Sequence, residues 1–329
     1  MSVSVFGAGS WGTALAAVLA GNGVPTVLWA RRADAAERIS REHCNAAYLP
    51  GVELPAELEV TAEIARAAEA SEWVLAVPTG SVRGVLADAV ACCAPGSAIC
   101  AAKGYEPDSR KRMSEVLAEE LPGSAGVAVL AGPSHAEEVG RGIPTTVVVA
   151  SLRADTQTTF QQLFHSQAFR VYTNGDLVGV ETAASLKNVI AIAAGICDGL
   201  GFGDNTKGAL LTRGLAEMSR LGAALGAEEA TFFGLAGIGD LVTTCMSRHS
   251  RNRHLGELVG KGAGVEDAAR EIGMVSEGVG TTRSAVEIAV NAGVELPITK
   301  AVSEILFAGK DPRAALDELM SRDPRAEAG

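Results

Sequence analysis

Aromatic side chains are scarce, making up 4% of the 329 residues. Rings therefore cannot fill most of a core, and small-residue packing and tight turns must, with 38 glycines available for both. Positive charge is also short, the formal net charge being −11 at pH 7. Binding along a nucleic-acid backbone needs a basic face, so no nucleic acid is expected as a partner. A small anionic ligand is compatible with that charge, because it feels only its own pocket. The six cysteines, at 44, 92, 93, 100, 197 and 245, form no CxxC pair, and no Cys/His spacing resembles a zinc site, so no metal is expected. No charged segment precedes the strand-like run 2–6, as one would in a signal peptide. The longest apolar stretch, 186–200, contains Lys187, Asn188 and Asp198 and reads as too short and too polar for a membrane span. Reducing cytoplasm, without membrane insertion, is the expected setting.

What is present is the composition of a folded globular chain, 47% hydrophobic and 20% charged. A chain this long buries roughly 75% of its unfolded surface without disulfide or metal staples. Apolar, β-rich runs at 2–6, 26–30, 73–77, 98–102, 127–131, 145–150 and 169–172 alternate with helical patterns at 13–20, 82–93, 109–121 and 156–164. Alternation of this kind predicts βαβ units on a mainly parallel sheet with helices on both faces. Cys92 and Cys93 fall in one of those helical patterns and read as small core filler. After about Asn174 the strands stop, and helical patterns cover 178–196, 208–225, 279–292 and 299–307. Residues 324–329 read as a frayed tail.

Gly7-Ala8-Gly9-Ser10-Trp11-Gly12 fits G-x-G-x-x-G between a predicted strand and a predicted helix, with a second strand ending near Ala30. In that context Gly7 permits the tight turn, Gly9 lets a pyrophosphate approach the backbone, and Gly12 lets helix pack on strand. The helix start offers unpaired N–H groups to the phosphates. The expected fold class is thus α/β. A Rossmann-type doubly wound sheet over 1–175 is followed by an all-α domain over 176–329. Arg31-Arg32 stands where an acidic residue would hold the ribose of NAD, and two guanidiniums suit a 2′-phosphate. NADP(H) is the expected cofactor and NAD(H) a possible one, since Asp34 lies nearby; the bland reading of the arginines is a solvated surface pair.

Polar residues of the second half are few and conspicuous. Lys187 sits inside an apolar helical stretch, where burial would lower its pKa and fit it to exchange a proton with a carbonyl. A lysine that snorkels to the surface, or pairs with a structural carboxylate, is the alternative. Glycines around Asp240 predict a turn that aims its carboxylate. Ser250 reads as the cap of a helix beginning near Asn252, and with Arg251 beside it that helix start would cradle a phosphate. A merely exposed, charged helix start is the competing reading. Lys103-Gly104 and Gly132-Pro133-Ser134-His135-Ala136 follow predicted strands, at the ends where open α/β sheets bind ligands. The competing readings are a solvated loop lysine for Lys103 and a helix cap for Ser134.

Taken together, GAGSWGTALA at 7–16, AKG at 102–104, GPSHAEEV at 132–139, LKNVIAIAAGICDGLGFGDNTK at 186–207, GLAGIGDLVTTC at 234–245, SRNR at 250–253 and SEG at 276–278 resemble the NAD(P)-dependent glycerol-3-phosphate dehydrogenases of the bacterial biosynthetic type. The resemblance runs from Gly7 to about Lys310. It implies reversible reduction of dihydroxyacetone phosphate to sn-glycerol 3-phosphate for glycerophospholipid synthesis. It also implies Lys187 as general acid/base, assisted by Lys103 and Asp240. Gly132, Ser134, Ser250, Arg251 and Asn252 would hold substrate, with Asn188 and Thr244 as further contacts. Ser10, Trp11, Arg31, Arg32, Tyr48, Lys103, Ala136, Arg251, Val275 and Glu277 would line the cofactor. A homodimer is expected from the family and from the frequency of symmetric oligomers. The rival readings are another reductase of similar build, such as a ketopantoate reductase or a 3-hydroxyacyl dehydrogenase, and a non-catalytic NADP-binding sensor.

Overall fold

Short, mostly apolar segments form an eight-stranded sheet: β1 (Val3–Phe6), β2 (Thr26–Trp29), β3 (Glu59–Thr61), β4 (Glu72–Leu75), β5 (Ser97–Cys100), β6 (Gly126–Ala131), β7 (Thr145–Ala150) and β8 (Phe169–Asn174). The strands lie in the order β3-β2-β1-β4-β5-β6-β7-β8. β1, β2, β4 and β5 are buried along their whole length, and β6 and β7 at all but one residue, because helices cover both faces. The computed structural model describes residues 1–273 and 275–321; the 324–329 tail lies outside them. All neighbouring pairs are parallel except β6 and β7, whose register opposes Val129 to Ala150. The 132–144 connection carries only the one-turn helix Ala136–Val139, too little for a parallel crossover, so β7 starts at the end where β6 finishes. The strand order reverses between β1 and β4, the crevice where doubly wound sheets bind ligands.

Several sequence expectations change in detail. Cys44–Asn45 and Leu49–Glu53 form a separate antiparallel ladder and Glu59–Thr61 an edge strand, all too short and polar to stand out as apolar runs. The helix expected over 109–121 spans only Met113–Glu120. Before it Arg110 has φ 62°, and Ser109 bonds Glu106 and the Lys111 N–H, local bonds that compete with a helix. Cys92 and Cys93 are exposed rather than core, because the helix Thr79–Val90 stops before Ala94-Pro95.

Beyond β8 every element among the described residues is helical, and the chain is organised around the 23-residue helix Leu177–Gly199. It is apolar nearly all round, as a helix enclosed on every side must be. By length and composition it could cross a membrane, which the shorter 186–200 stretch did not suggest, but its most apolar window is 94% buried inside the protein. The helix Arg251–Gly260 crosses it at backbone contact. A Cβ on Gly195 would stand 1.8 Å from the Arg253 carbonyl oxygen, and one on Gly256 2.0 Å from that of Ile192. These two glycines set how near the Ser250–Arg251 helix start can come to the long helix. That approach positions the site.

Candidate active site

The first turn after β1 is built from missing side chains. Gly7 has φ +117°, and a Cβ there would strike the Ala76 carbonyl oxygen at 2.8 Å, where β4 runs alongside. A Cβ on Gly12 would lie 1.9 Å from the Gly7 carbonyl oxygen, so the helix Ser10–Gly21 can begin only with glycine at that position. Before Gly9 there is open space, and no side chain caps the helix start. Asn45 braces the loop by donating to the Ala8 carbonyl at 2.9 Å and to Thr13 Oγ1 at 2.8 Å. Ser10 Oγ donates to the Tyr48 carbonyl at 2.6 Å, and the Tyr48 ring is half exposed. Trp11 Nε1 is buried without a partner among the described residues. A bare helix start, an open approach at Gly9 and this unspent N–H suit a pyrophosphate and its nucleotide. The residues present fit a dinucleotide.

At the end of β2, Arg31 and Arg32 are both exposed. They differ in availability. Arg32 is already forked onto Asp34, with Nε 3.0 Å from Oδ1. Arg31 makes no hydrogen bond or ion pair among the described residues.

The second half of the site is a buried charge cluster. Lys187 is 5% exposed and Asp240 1%. Lys187 Nζ donates to Asp240 Oδ1 at 2.6 Å and to Thr244 Oγ1 at 2.7 Å. From the loop after β5, Lys103 Nζ reaches the other oxygen, Asp240 Oδ2, at 2.9 Å, and also the Gly132 carbonyl at 2.9 Å and Ser134 Oγ at 3.4 Å. One carboxylate thus holds two ammoniums. Burial, reinforced by Lys103, pulls the Lys187 pKa down to about 8 even though Asp240 favours its charged form. Burial alone would raise the Asp240 carboxyl, but the two ammoniums outweigh it and hold it below its usual range. Lys187 does not snorkel: it is buried and paired with the Asp240 carboxylate, and it spends two of its three N–H donors and keeps one.

Asp240 arrives differently from the expected turn. Leu235–Gly239 is a π-helical segment, kinked at Gly237, that runs straight into the helix Asp240–Met246. A Cβ on Gly237 would lie 2.0 Å from the Phe232 carbonyl oxygen, so the glycines permit a kink rather than a reversal. Ser134 is not a cap: its Oγ donates to the Gly132 carbonyl at 2.9 Å, and His135 occupies the cap position of the helix Ala136–Val139.

Ser250 does cap its helix, accepting the Arg253 N–H at 3.2 Å. Arg251 is exposed and free of ion pairs among the described residues. Its neighbour Arg253 is anchored instead, to Asp198 at 2.7 Å and to the Ser247 carbonyl at 3.0 Å. Asn252 is buried and its amide is committed, donating to Asn188 Oδ1 at 3.0 Å and accepting the Gly278 N–H at 3.0 Å. Asn188 in turn donates to the Lys103 carbonyl at 3.2 Å. This amide chain ties the β5 loop, the long helix and two further helices together. Glu277 accepts the Thr79 N–H at 3.1 Å and its hydroxyl at 2.8 Å, which locks the helix Glu277–Asn291 to the start of the helix Thr79–Val90. Burial pushes its carboxyl up against those two bonds. Val275, two residues before it, is exposed. Sequence reasoning overlooked Asn45, Thr79, Arg253 and His135. The first three act through tertiary contacts that leave no local pattern.

Comparison with known proteins follows the same two halves. Residues 2–157 match the family model of the NAD-dependent glycerol-3-phosphate dehydrogenase N-terminus, and 176–317 that of its C-terminus. A protein of Chlorobium phaeobacteroides (strain BS1), named glycerol-3-phosphate dehydrogenase (NAD(P)+), is 51% identical over 333 residues, covering 100% of both chains. One of the same name from Geobacillus kaustophilus (strain HTA426) is 50% identical over 99% of this chain and 96% of its own. The crystal structure of the Coxiella burnetii glycerol-3-phosphate dehydrogenase superposes with a TM-score of 0.94 at 38% identity, covering 98% of this chain and 99% of that one. With both halves matched in one unbroken alignment, the chain belongs to the NAD-dependent glycerol-3-phosphate dehydrogenase family.

Proposed function

We propose that this enzyme reversibly reduces dihydroxyacetone phosphate to sn-glycerol 3-phosphate, with Lys187 as general acid. The observation that carries the reading is the buried Lys187 ammonium with one N–H unspent. A ketone oxygen is the natural acceptor for that N–H. When bound, the nicotinamide supplies the hydride that goes to the carbonyl carbon. Lys187 gives its proton to the oxygen as that charge develops, and its depressed pKa makes the transfer easy near neutral pH. Asp240 fixes the amine, and Lys103 balances the carboxylate while holding the Gly132–Ser134 loop. The free guanidinium of Arg251 at the Ser250 helix start grips the substrate phosphate. Phosphate capture is remote from the reacting carbon, so its binding energy orients the ketone.

Several finer statements belong to the same reading. Residues 1–175 form the cofactor domain and 176–329 the substrate domain. Arg31, the uncommitted guanidinium, favours NADP(H) over NAD(H). Tyr48, Ala136 and Val275 complete the cofactor wall. The product feeds glycerophospholipid synthesis, and the enzyme works in the cytoplasm as a homodimer. A kept buried lysine and an arginine at a helix start argue for a phosphorylated ketone and against a cofactor sensor.

The test is an absorbance assay of NADPH and NADH oxidation with and without dihydroxyacetone phosphate. Ketone-dependent oxidation is expected, and its absence with both cofactors would overturn the reading. The pH dependence carries the sign of the mechanism. Reduction needs the ammonium, so its rate falls as pH rises through about 8, whereas glycerol 3-phosphate oxidation needs the free amine and rises through the same value.

A further inference from the structure

Most side chains around the charge cluster spend their polar atoms on one another, but one does not. His135 Nε2 is shut off from solvent and meets no hydrogen-bond partner among the described residues. An imidazole nitrogen left so is costly, and in a native fold it calls for a ligand or water. The side chain does not cap the Ala136–Val139 helix that it precedes. Its ring instead packs against that of His249, with centroids 5.9 Å apart and planes tilted by 51°. His249 stands directly before Ser250 and Arg251. Burial first, then the Lys187 and Lys103 ammoniums, hold the imidazole below its usual pKa, against the weaker pull of Asp240 and Glu137. Near neutral pH the ring is therefore uncharged and offers a single N–H. It lies beside the lysine cluster on one side and beside the helix start of the SRNR segment on the other.

We propose that His135 is a substrate-binding residue that donates its Nε2–H to a phosphoryl oxygen, with His249 fixing the plane of its ring. This rests on the reading of the substrate as a phosphorylated ketone. The carbonyl oxygen already has the unspent N–H of Lys187, whereas the ring contact with His249 puts His135 on the phosphate side. A neutral donor there complements the exposed Arg251 charge and adds geometric selection for a tetrahedral anion.

Three variants of the full-length enzyme separate hydrogen bonding from packing. H135F keeps a ring against His249 and removes Nε2, H135Q returns an amide nitrogen near the Nε2 position, and H135A removes both. The expected result for H135F is a rise of about tenfold in KM for dihydroxyacetone phosphate, with kcat within twofold of wild type and KM for NADPH unchanged. H135Q should recover most of that loss. If H135F matches wild type while H135A fails, the ring only packs and the proposal is overturned. A fall in kcat at unchanged KM would put the imidazole at the reacting carbonyl, which also overturns it. H135L carries the same test if the phenylalanine variant does not fold. Wild-type turnover of dihydroxyacetone phosphate is measured alongside, so failure of the functional reading appears as no turnover at all rather than as an insensitive His135.

Discussion

The two halves of the site are built on opposite principles. The nucleotide cradle at Gly7–Gly12 works by absence: side chains are missing, a helix start is left uncapped, and the donors are backbone N–H groups. The Lys187–Asp240–Lys103 cluster works by concentration, forcing three charges into a space where water would be preferred by each of them. The first is local, spanning six consecutive residues. The second joins positions 53 and 137 residues apart in the chain. The contrast teaches that binding a common cofactor can be left to backbone, which any Gly-rich turn supplies. A proton transfer with a lowered pKa needs a dry, charge-paired interior that only tertiary packing provides.

That division can be broken by substitution, and the largest effect is expected at the lysine. Lys187→Ala should lower kcat by roughly 10²–10⁴-fold, the usual worth of a positioned acid, while NADPH binding measured by fluorescence stays near wild type. Near-normal kcat would show that the cluster is structural and would erase the contrast. Gly12→Ala should act the other way. Its methyl would overlap the Gly7 carbonyl oxygen, at 1.9 Å, and the helix start must shift by enough to cost about 1–3 kcal/mol. A ten- to hundredfold rise in NADPH Kd is expected, of order 1.4–2.8 kcal/mol, with kcat retained at saturating cofactor. An equal loss of kcat there would mean that cradle and cluster are coupled. The smallest effect is expected at the rim of the cradle. Arg31→Ala should raise KM for NADPH about fivefold and leave KM for NADH unchanged, since a charge-assisted bond to the 2′-phosphate is all that is removed. Arg32→Ala should do less, because its guanidinium is already spent on Asp34. Equal loss with both cofactors would remove the basis for NADP(H) preference.

Much of this was legible in the residues alone. Strands and helices of the sheet region announce themselves because fully buried strands must be apolar along their length, and the Gly fingerprint is contiguous. Lys187 stood out as a charge in an apolar helix, yet whether it snorkelled or stayed buried was open, since that depends on what surrounds the helix. The structure surrounds it on every side. Asp240 was recognisable by its glycines, but a kinked π-helical segment and a turn have similar sequences, and only the Phe232 carbonyl packed against Gly237 distinguishes them. Asn252 was expected at the substrate, and its amide turns out to be committed to Asn188 and Gly278. Cys92 and Cys93 were misplaced because a helical pattern carries no sign of its own end until Pro95 is given its steric weight.

By itself, then, the chain prescribed the things that depend on neighbours in sequence: a glycine turn that admits phosphate, alternating strands and helices, a capped helix start bearing Arg251, and one lysine in greasy company. Tertiary structure alone decided which carboxylate meets that lysine, which of two adjacent arginines is free, and that the His135 imidazole is buried near the lysines with a nitrogen unpaired among the described residues. The physical reason is range. Backbone sterics and local hydrogen bonds act over a few residues, whereas burial and charge pairing are properties of a place in space and have no value until distant segments occupy it.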